Sequence, residues 1–201
     1  MIIYKMERKD AAVTYGGPGA EKQRIRLETR QIAQKLDPET LQRASRSITQ
    51  QVLAHPSWKR AKTVMAYVSL PEEPDTRELI GAALEEGKTV LLPHCVDREH
   101  MVALPVKDLS SLKPGILGIP EPVPAEGEKV AVPEPDLILV PCVAAAPHGI
   151  RLGHGAGYYD RFLAEHRGKS ICLCFRAFLR GDLPAEETDV PVDLVITDEE
   201  D

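Results

Sequence analysis

The sequence predicts an α/β fold, a three-layer α/β/α domain with a mostly parallel open sheet. Two runs of strand formers, at 63–68 and 89–92, flank one helical segment. A continuous apolar run at 136–143 is of the kind buried on both faces of a sheet. A glycine-rich segment at 153–157 lies between a strand pattern and a helix pattern. At 201 residues, with 43% hydrophobic and 28% charged side chains, the chain supports one sizeable core rather than two full domains.

Residues 1–20 contain Gly16-Gly17-Pro18-Gly19 and little periodicity, so they read as a flexible N-terminal arm before a single domain at 21–201. Residues 21–36 are helical in composition. Asp37-Pro38, an N-cap followed by proline at the first helical position, opens a second helix to about His55. Its apolar stripe is Leu41, Ala44, Ile48 and Val52. After the strand at 63–68, Asp75-Thr76-Arg77-Glu78 is a capping-box pattern for a helix ending at Gly87. The strand at 89–92 then completes a parallel pair joined by a right-handed crossover. Residues 101–106 read as an alternating edge strand, and 113–135 as a Pro- and Gly-rich connection. Beyond the 136–143 strand come a helix at about 158–166, closed by Gly168, and strands at 171–175 and 192–197. Such a sheet binds ligands beyond the carboxyl ends of its strands.

A net charge of −6 and the lack of a basic stripe interleaved with aromatics argue against nucleic acid or an anionic membrane as partner. No apolar run is long enough to span a bilayer, and the first 20 residues lack a secretory apolar stretch. The expectation is a cytoplasmic monomer acting on small molecules. Cys95, Cys142, Cys172 and Cys174 show neither metal-ligand spacing nor a disulfide pattern, and read as buried free thiols.

Gly153, Gly155 and Gly157 let the backbone approach a ligand closely and turn free N–H groups toward an anion, with phosphate the natural choice. A simple tight turn would use the same glycines. The segment is neither a Walker A loop nor a dinucleotide fingerprint. Arg151 adds a cationic fork on one side, and Asp160 a carboxylate in the first turn of the following helix. A carboxylate beside a phosphate cradle suits Mg2+, although Asp160 would equally complement the helix dipole.

Gly-Ile-Pro-Glu-Pro at 118–122, the run at 136–141, Arg-Leu-Gly-x-Gly-x-Gly-Tyr-Tyr-Asp at 151–160 and Asp-x-x-x-Asp at 189–193 occur in this order. Together they resemble the 5-formyltetrahydrofolate cyclo-ligase family, also called methenyltetrahydrofolate synthetase, over about residues 22–197. The resemblance implies ATP-dependent conversion of 5-formyltetrahydrofolate to 5,10-methenyltetrahydrofolate, with ATP as cosubstrate and Mg2+ as cofactor. It assigns Lys22 and Arg26, four apart on one helical face, to the ATP phosphates, with Gly153, His154, Gly155, Ala156, Gly157 and Tyr158. Glu73, Tyr158 and Tyr159 would contact the folate, Tyr158 and Arg151 would serve catalysis, and Asp160 and Asp189 would hold Mg2+. From the residues alone, Lys22 and Arg26 also fit a solvated face, Glu73 a solvated loop, His154 a solvent-facing position, and the tyrosines a half-buried core.

The sequence also departs from that family's pattern. Ala144-Ala145-Ala146 stands where Ala-Phe-Asp is common, Ile150 replaces a frequent Asn, Ala156 replaces a middle Gly, and Phe178 lies near a usual Gln. These changes predict an altered pocket wall. They open a second expectation, a catalytically weak or silent member that binds nucleotide or folate for regulation.

Overall fold

The computed structural model describes residues 18–124 and 132–199; the part of the N-terminal arm at 1–17 lies outside them. Helix α1 (Pro18–Ala33) begins within the segment read as arm, with proline in its first turn, where a missing N–H breaks no helical bond. Lys22, Ile25 and Thr29 form its buried face. Helix α2 (Pro38–Ala54) starts as expected: extended Asp37 accepts from Thr40 N at 3.1 Å. The sequence reading missed the short helix α3 (Pro56–Arg60), capped by His55 Nδ1 accepting from Ser57 N at 3.1 Å. Trp58 in α3 is buried, and its indole N–H reaches Glu86 Oε1 at 3.2 Å.

Strand β1 (Thr63–Met65) leads through helix α4 (Arg77–Glu85) to β2 (Thr89–Cys95), parallel to it in the register Val64 to Val90. The expected capping box is replaced by another arrangement. Thr76 is wholly buried and donates its hydroxyl to Tyr67 O, leaving Asp75 to accept from Arg77 N at 2.9 Å. Gly87, at φ 72°, ends the helix in the left-handed conformation that glycine adopts without a Cβ clash. Strand β3 (Met101–Val106) runs antiparallel on the outer side of β2, and a small hairpin follows, β4 (Lys113–Pro114) with β5 (Pro120–Glu121).

The apolar run becomes β6 (Leu137–Val140), wholly buried on both faces. A second hairpin, unforeseen from sequence, pairs β7 (Ala144–Ala145) with β8 (Arg151–Leu152). Helix α5 (Tyr158–Glu165), β9 (Lys169–Leu173), a single 3-10 turn (Arg176–Phe178) and β10 (Leu194–Ile196) complete the described chain. The main sheet has the order β10-β9-β6-β1-β2-β3, parallel except for β3. Two aspartates fasten strand starts: Asp136 accepts from Lys62 N and Thr63 N at 2.8 and 2.9 Å, and Asp193 from Ser170 N and Oγ at 2.8 and 2.9 Å.

A second, smaller core of Ile25, Ala144, Ala146, Leu152 and Leu183 seats α1 on the β7–β8 hairpin. Ala145 and Phe178 belong to the main core, where Phe178 meets Phe175 edge-on at 5.8 Å. The three alanines and Phe178 are therefore packing residues, and the altered pocket wall expected from them is not found.

Candidate functional site

A cavity of about 930 Å³ opens beyond the carboxyl ends of β1, β2 and β6, where Tyr67, Cys95 and Pro141 line it. Its position follows from parallel strands that all point their carboxyl ends to one side. The expected residues Lys22, Arg26, Glu73, Arg151, 153–160 and Asp189 all face this cavity.

The glycine loop is shaped as the sequence requires. Gly155 and Gly157 have φ of 106° and 70°, in the region that side chains rarely adopt. A Cβ on Gly157 would lie 2.8 Å from Arg161 Nη1, and one on Gly155 would lie 3.4 Å from the Arg26 guanidinium. Among the described residues no non-glycine has positive φ, so Ala156 is accommodated without strain. Gly157 is the N-cap of α5 and offers no side-chain cap, which leaves the first N–H groups of the helix facing the loop.

Helix α1 brings two cations to this loop. Arg26 Nε donates to Gly153 O at 2.8 Å. Lys22 Nζ is clamped between Glu186 Oε2 at 2.7 Å and Asp189 Oδ2 at 2.6 Å. Burial alone would lower the Lys22 pKa, but the hydrogen bonds it donates to Asp189 and Glu186 outweigh it and hold the ammonium above its ordinary range. Lys22 is thus a fixed charge rather than part of a solvated face.

Asp160 is fastened to the backbone of the residue that follows Asp189. Asp160 Oδ1 accepts from Val190 N at 3.1 Å and from Arg151 Nη2 at 3.0 Å, and Arg151 Nη1 also donates to Val190 O. Arg151 is buried and ties β8, α5 and the 186–190 loop into one unit. The described residues gather no group of three or more His, Cys, Asp or Glu suited to a metal ion. Two carboxylates fit Mg2+ when phosphate oxygens and water complete the shell, because Mg2+ is commonly held by one or two protein carboxylates.

Glu73, which also lines the cavity, is buried, with Oε2 accepting from Leu70 N at 2.8 Å and Oε1 3.1 Å from His154 Nε2. Neither Glu73 as a solvated loop residue nor His154 as a lone solvent-facing residue matches this pairing. The tyrosines divide. Tyr158 lines the cavity with its ring, but its hydroxyl donates to Asp97 O at 2.6 Å and holds the β2–β3 turn. Tyr159 also lines the cavity, and its buried hydroxyl has no partner among the described residues. Burial, then Glu73, pushes the Tyr159 phenol far above its ordinary range, so it stays protonated.

Tyr67, Glu186 and Cys95 are among the lining residues that the sequence reading did not place at the site. Tyr67 had a positional signal, the carboxyl end of a parallel strand. Glu186 had an acidic neighbourhood but no motif. Cys95 reads as an ordinary buried thiol, and burial first, with Glu121 second, pushes it up to about 12. Glu121, also buried, accepts from Cys95 N at 2.9 Å and pins β5 to β2.

Residues 18–198 match the model of the 5-formyltetrahydrofolate cyclo-ligase family. A probable 5-formyltetrahydrofolate cyclo-ligase of Caenorhabditis elegans is 34% identical, over 87% of this chain and 91% of the relative. The 5-formyltetrahydrofolate cyclo-ligase of Haemophilus influenzae is 31% identical, over 86% and 95%. The solved 5,10-methenyltetrahydrofolate synthetase of Aquifex aeolicus superposes with a TM-score of 0.75 at 32% identity, over 87% of this chain and 88% of that one. With the fold and most of the length shared, the chain belongs to the 5-formyltetrahydrofolate cyclo-ligase family.

Proposed function

We propose that the protein converts 5-formyltetrahydrofolate to 5,10-methenyltetrahydrofolate with ATP, releasing ADP and phosphate. The observation that carries this is that one cavity is lined by both a phosphate-type and a ring-type set of groups. Lys22, Arg26 and the glycine loop form a cationic, N–H-rich set, and Glu73 with Tyr159 forms a set with a buried acceptor and an aromatic ring. The formyl oxygen attacks the γ-phosphorus as the bond to ADP breaks. N10 then attacks the activated formyl carbon and gives up its proton to solvent, and phosphate departs with the C–O electron pair. No side-chain nucleophile is needed, so positioning and charge stabilisation carry the catalysis.

In this mechanism Lys22 and Arg26 hold the phosphates of ATP, with the N–H groups of Gly153, His154, Gly155, Ala156, Gly157 and Tyr158 around them. Glu73 accepts N–H bonds from the pterin ring, Tyr159 packs beside it, and the Tyr158 ring closes the wall. Arg151 orients Asp160 through the 3.0 Å contact. Asp160 and Asp189 hold Mg2+, which when bound neutralises charge on the transferred phosphoryl group. The protein acts as a cytoplasmic monomer and takes no nucleic acid, a reading supported by its net charge of −6. None of its described helices is long and apolar enough to cross a membrane. Of the substitutions that pointed to a silent member, Ala144, Ala145, Ala146, Ile150 and Phe178 lie in the two cores and Ala156 lines the cavity without backbone strain, which favours an active enzyme.

The test follows near-ultraviolet absorbance of the methenyl product with ATP, Mg2+ and 5-formyltetrahydrofolate. An ATP-dependent rise well above an Asp160→Ala control is expected. No rise above that control would overturn the proposal.

A further inference from the structure

Tyr67 stands two residues past the end of β1, with its ring lining the cavity and only 3% of its surface exposed. Its hydroxyl is buried and has no hydrogen-bond partner among the described residues. The backbone gives it little room to move away. Ala66 N donates to Leu91 O at 2.9 Å, and Tyr67 O accepts from the buried Thr76 hydroxyl.

An unpaired buried hydroxyl is destabilising relative to phenylalanine in the same place, so packing alone gives no reason for the oxygen. Burial first, and the Glu73 carboxylate second, raise the Tyr67 phenol well above its ordinary range. At physiological pH it is therefore a neutral O–H donor near an acidic acceptor.

We propose that Tyr67 is a further substrate-binding residue, whose hydroxyl donates to the ring carbonyl of the reduced folate while Glu73 accepts the adjacent ring N–H groups. This rests on the activity proposed above. A pyrimidinone edge carries a carbonyl acceptor next to N–H donors, and a carboxylate flanked by a hydroxyl donor is its complement. Tyr67 contributes nothing to ATP binding in this arrangement, and its effect falls on folate alone.

The test is Tyr67→Phe, which removes one oxygen and keeps the ring, compared with wild type in steady-state kinetics and thermal unfolding. The expected result is a rise of about 3- to 10-fold in the KM for 5-formyltetrahydrofolate, the loss of one neutral hydrogen bond. The KM for ATP is expected to stay unchanged and Tm to be equal or higher, since an unpaired buried oxygen has gone. A folate KM within twofold of wild type overturns the assignment. So does a parallel rise in both KM values with a lowered Tm, which marks a structural role. If wild type shows no turnover, the proposed activity fails on its own, and calorimetric binding of 5-formyltetrahydrofolate decides about Tyr67. Weaker binding to Tyr67→Phe supports it, and equal or absent binding to both proteins overturns it.

Discussion

His154 Nε2 lies 3.1 Å from Glu73 Oε1, so a side chain of the glycine loop touches a buried carboxylate that lines the same cavity. Glu73 is buried whereas His154 is nearly half exposed, with 45% of its side chain accessible. The two partners will therefore respond unequally to mutation. Glu73→Gln is expected to raise the folate KM about 10- to 100-fold, the scale of a lost charge-assisted hydrogen bond, with little change for ATP. His154→Ala is expected to change turnover less than about threefold, since half-exposed pairs contribute little. Steady-state kinetics with each substrate varied in turn checks both.

Asp160 and Asp189 differ in what else they hold. Asp160→Asn weakens the junction with Arg151 and Val190, and is expected to lower kcat at least about 100-fold, as for a group stabilising the transferred phosphoryl charge. Asp189→Asn leaves Lys22 with Glu186 as its partner. Its expected signature is a higher Mg2+ concentration at half-maximal rate, read from titrations at fixed ATP.

The alanines at 144–146 offer a test of packing against pocket shape. Ala145 is wholly buried in the main core, so Ala145→Phe overfills it and is expected to destabilise by about 1–3 kcal/mol in urea unfolding. If Ala145 formed a cavity wall instead, the substrate KM values would change and stability would not.

All four cysteines are buried. With its thiol pushed up to about 12, Cys95 carries almost no thiolate near neutrality. Native protein at pH 8 is expected to resist iodoacetamide, and urea-unfolded protein to take up four labels by mass spectrometry.

Stability should fall in acid through identifiable carboxylates. The backbone N–H of Glu99 and then His100 hold Asp97 down at about 2, and the N–H groups of Thr63 and Lys62 hold Asp136 below its usual range. A depressed carboxylate stabilises above its unfolded pKa of about 3.9 and loses that contribution as pH falls through the folded value. Thermal unfolding is expected to show Tm declining from about pH 4 toward pH 2, less steeply in Asp136→Asn.

Much of this was legible in the sequence because the signals were local. Buried parallel strands are apolar over their whole length, and Asp37-Pro38, Gly87 and the glycines at 153–157 mark turns and caps by their own conformational chemistry. The small hairpins were not legible, since two-residue strands such as Ala144–Ala145 carry no periodicity. The capping box at 75–78 did not form because the helix starts one residue later, at Arg77, with Thr76 at the N-cap and Asp75 accepting from Arg77 N instead. At the site, the glycine loop announced itself, whereas Tyr67 and Glu186 are single residues whose importance arises only from what folding places beside them.

Lys22 and Arg26 come from the first described helix, while the carboxylates clamping Lys22 lie 164 and 167 residues later. A ribosome must therefore pass residue 189 before the clamp on Lys22 can form. Nascent protein, which emerges N-terminus first, cannot trap nucleotide prematurely, and a fragment ending before residue 186 would lack the clamp that orients its own first cation.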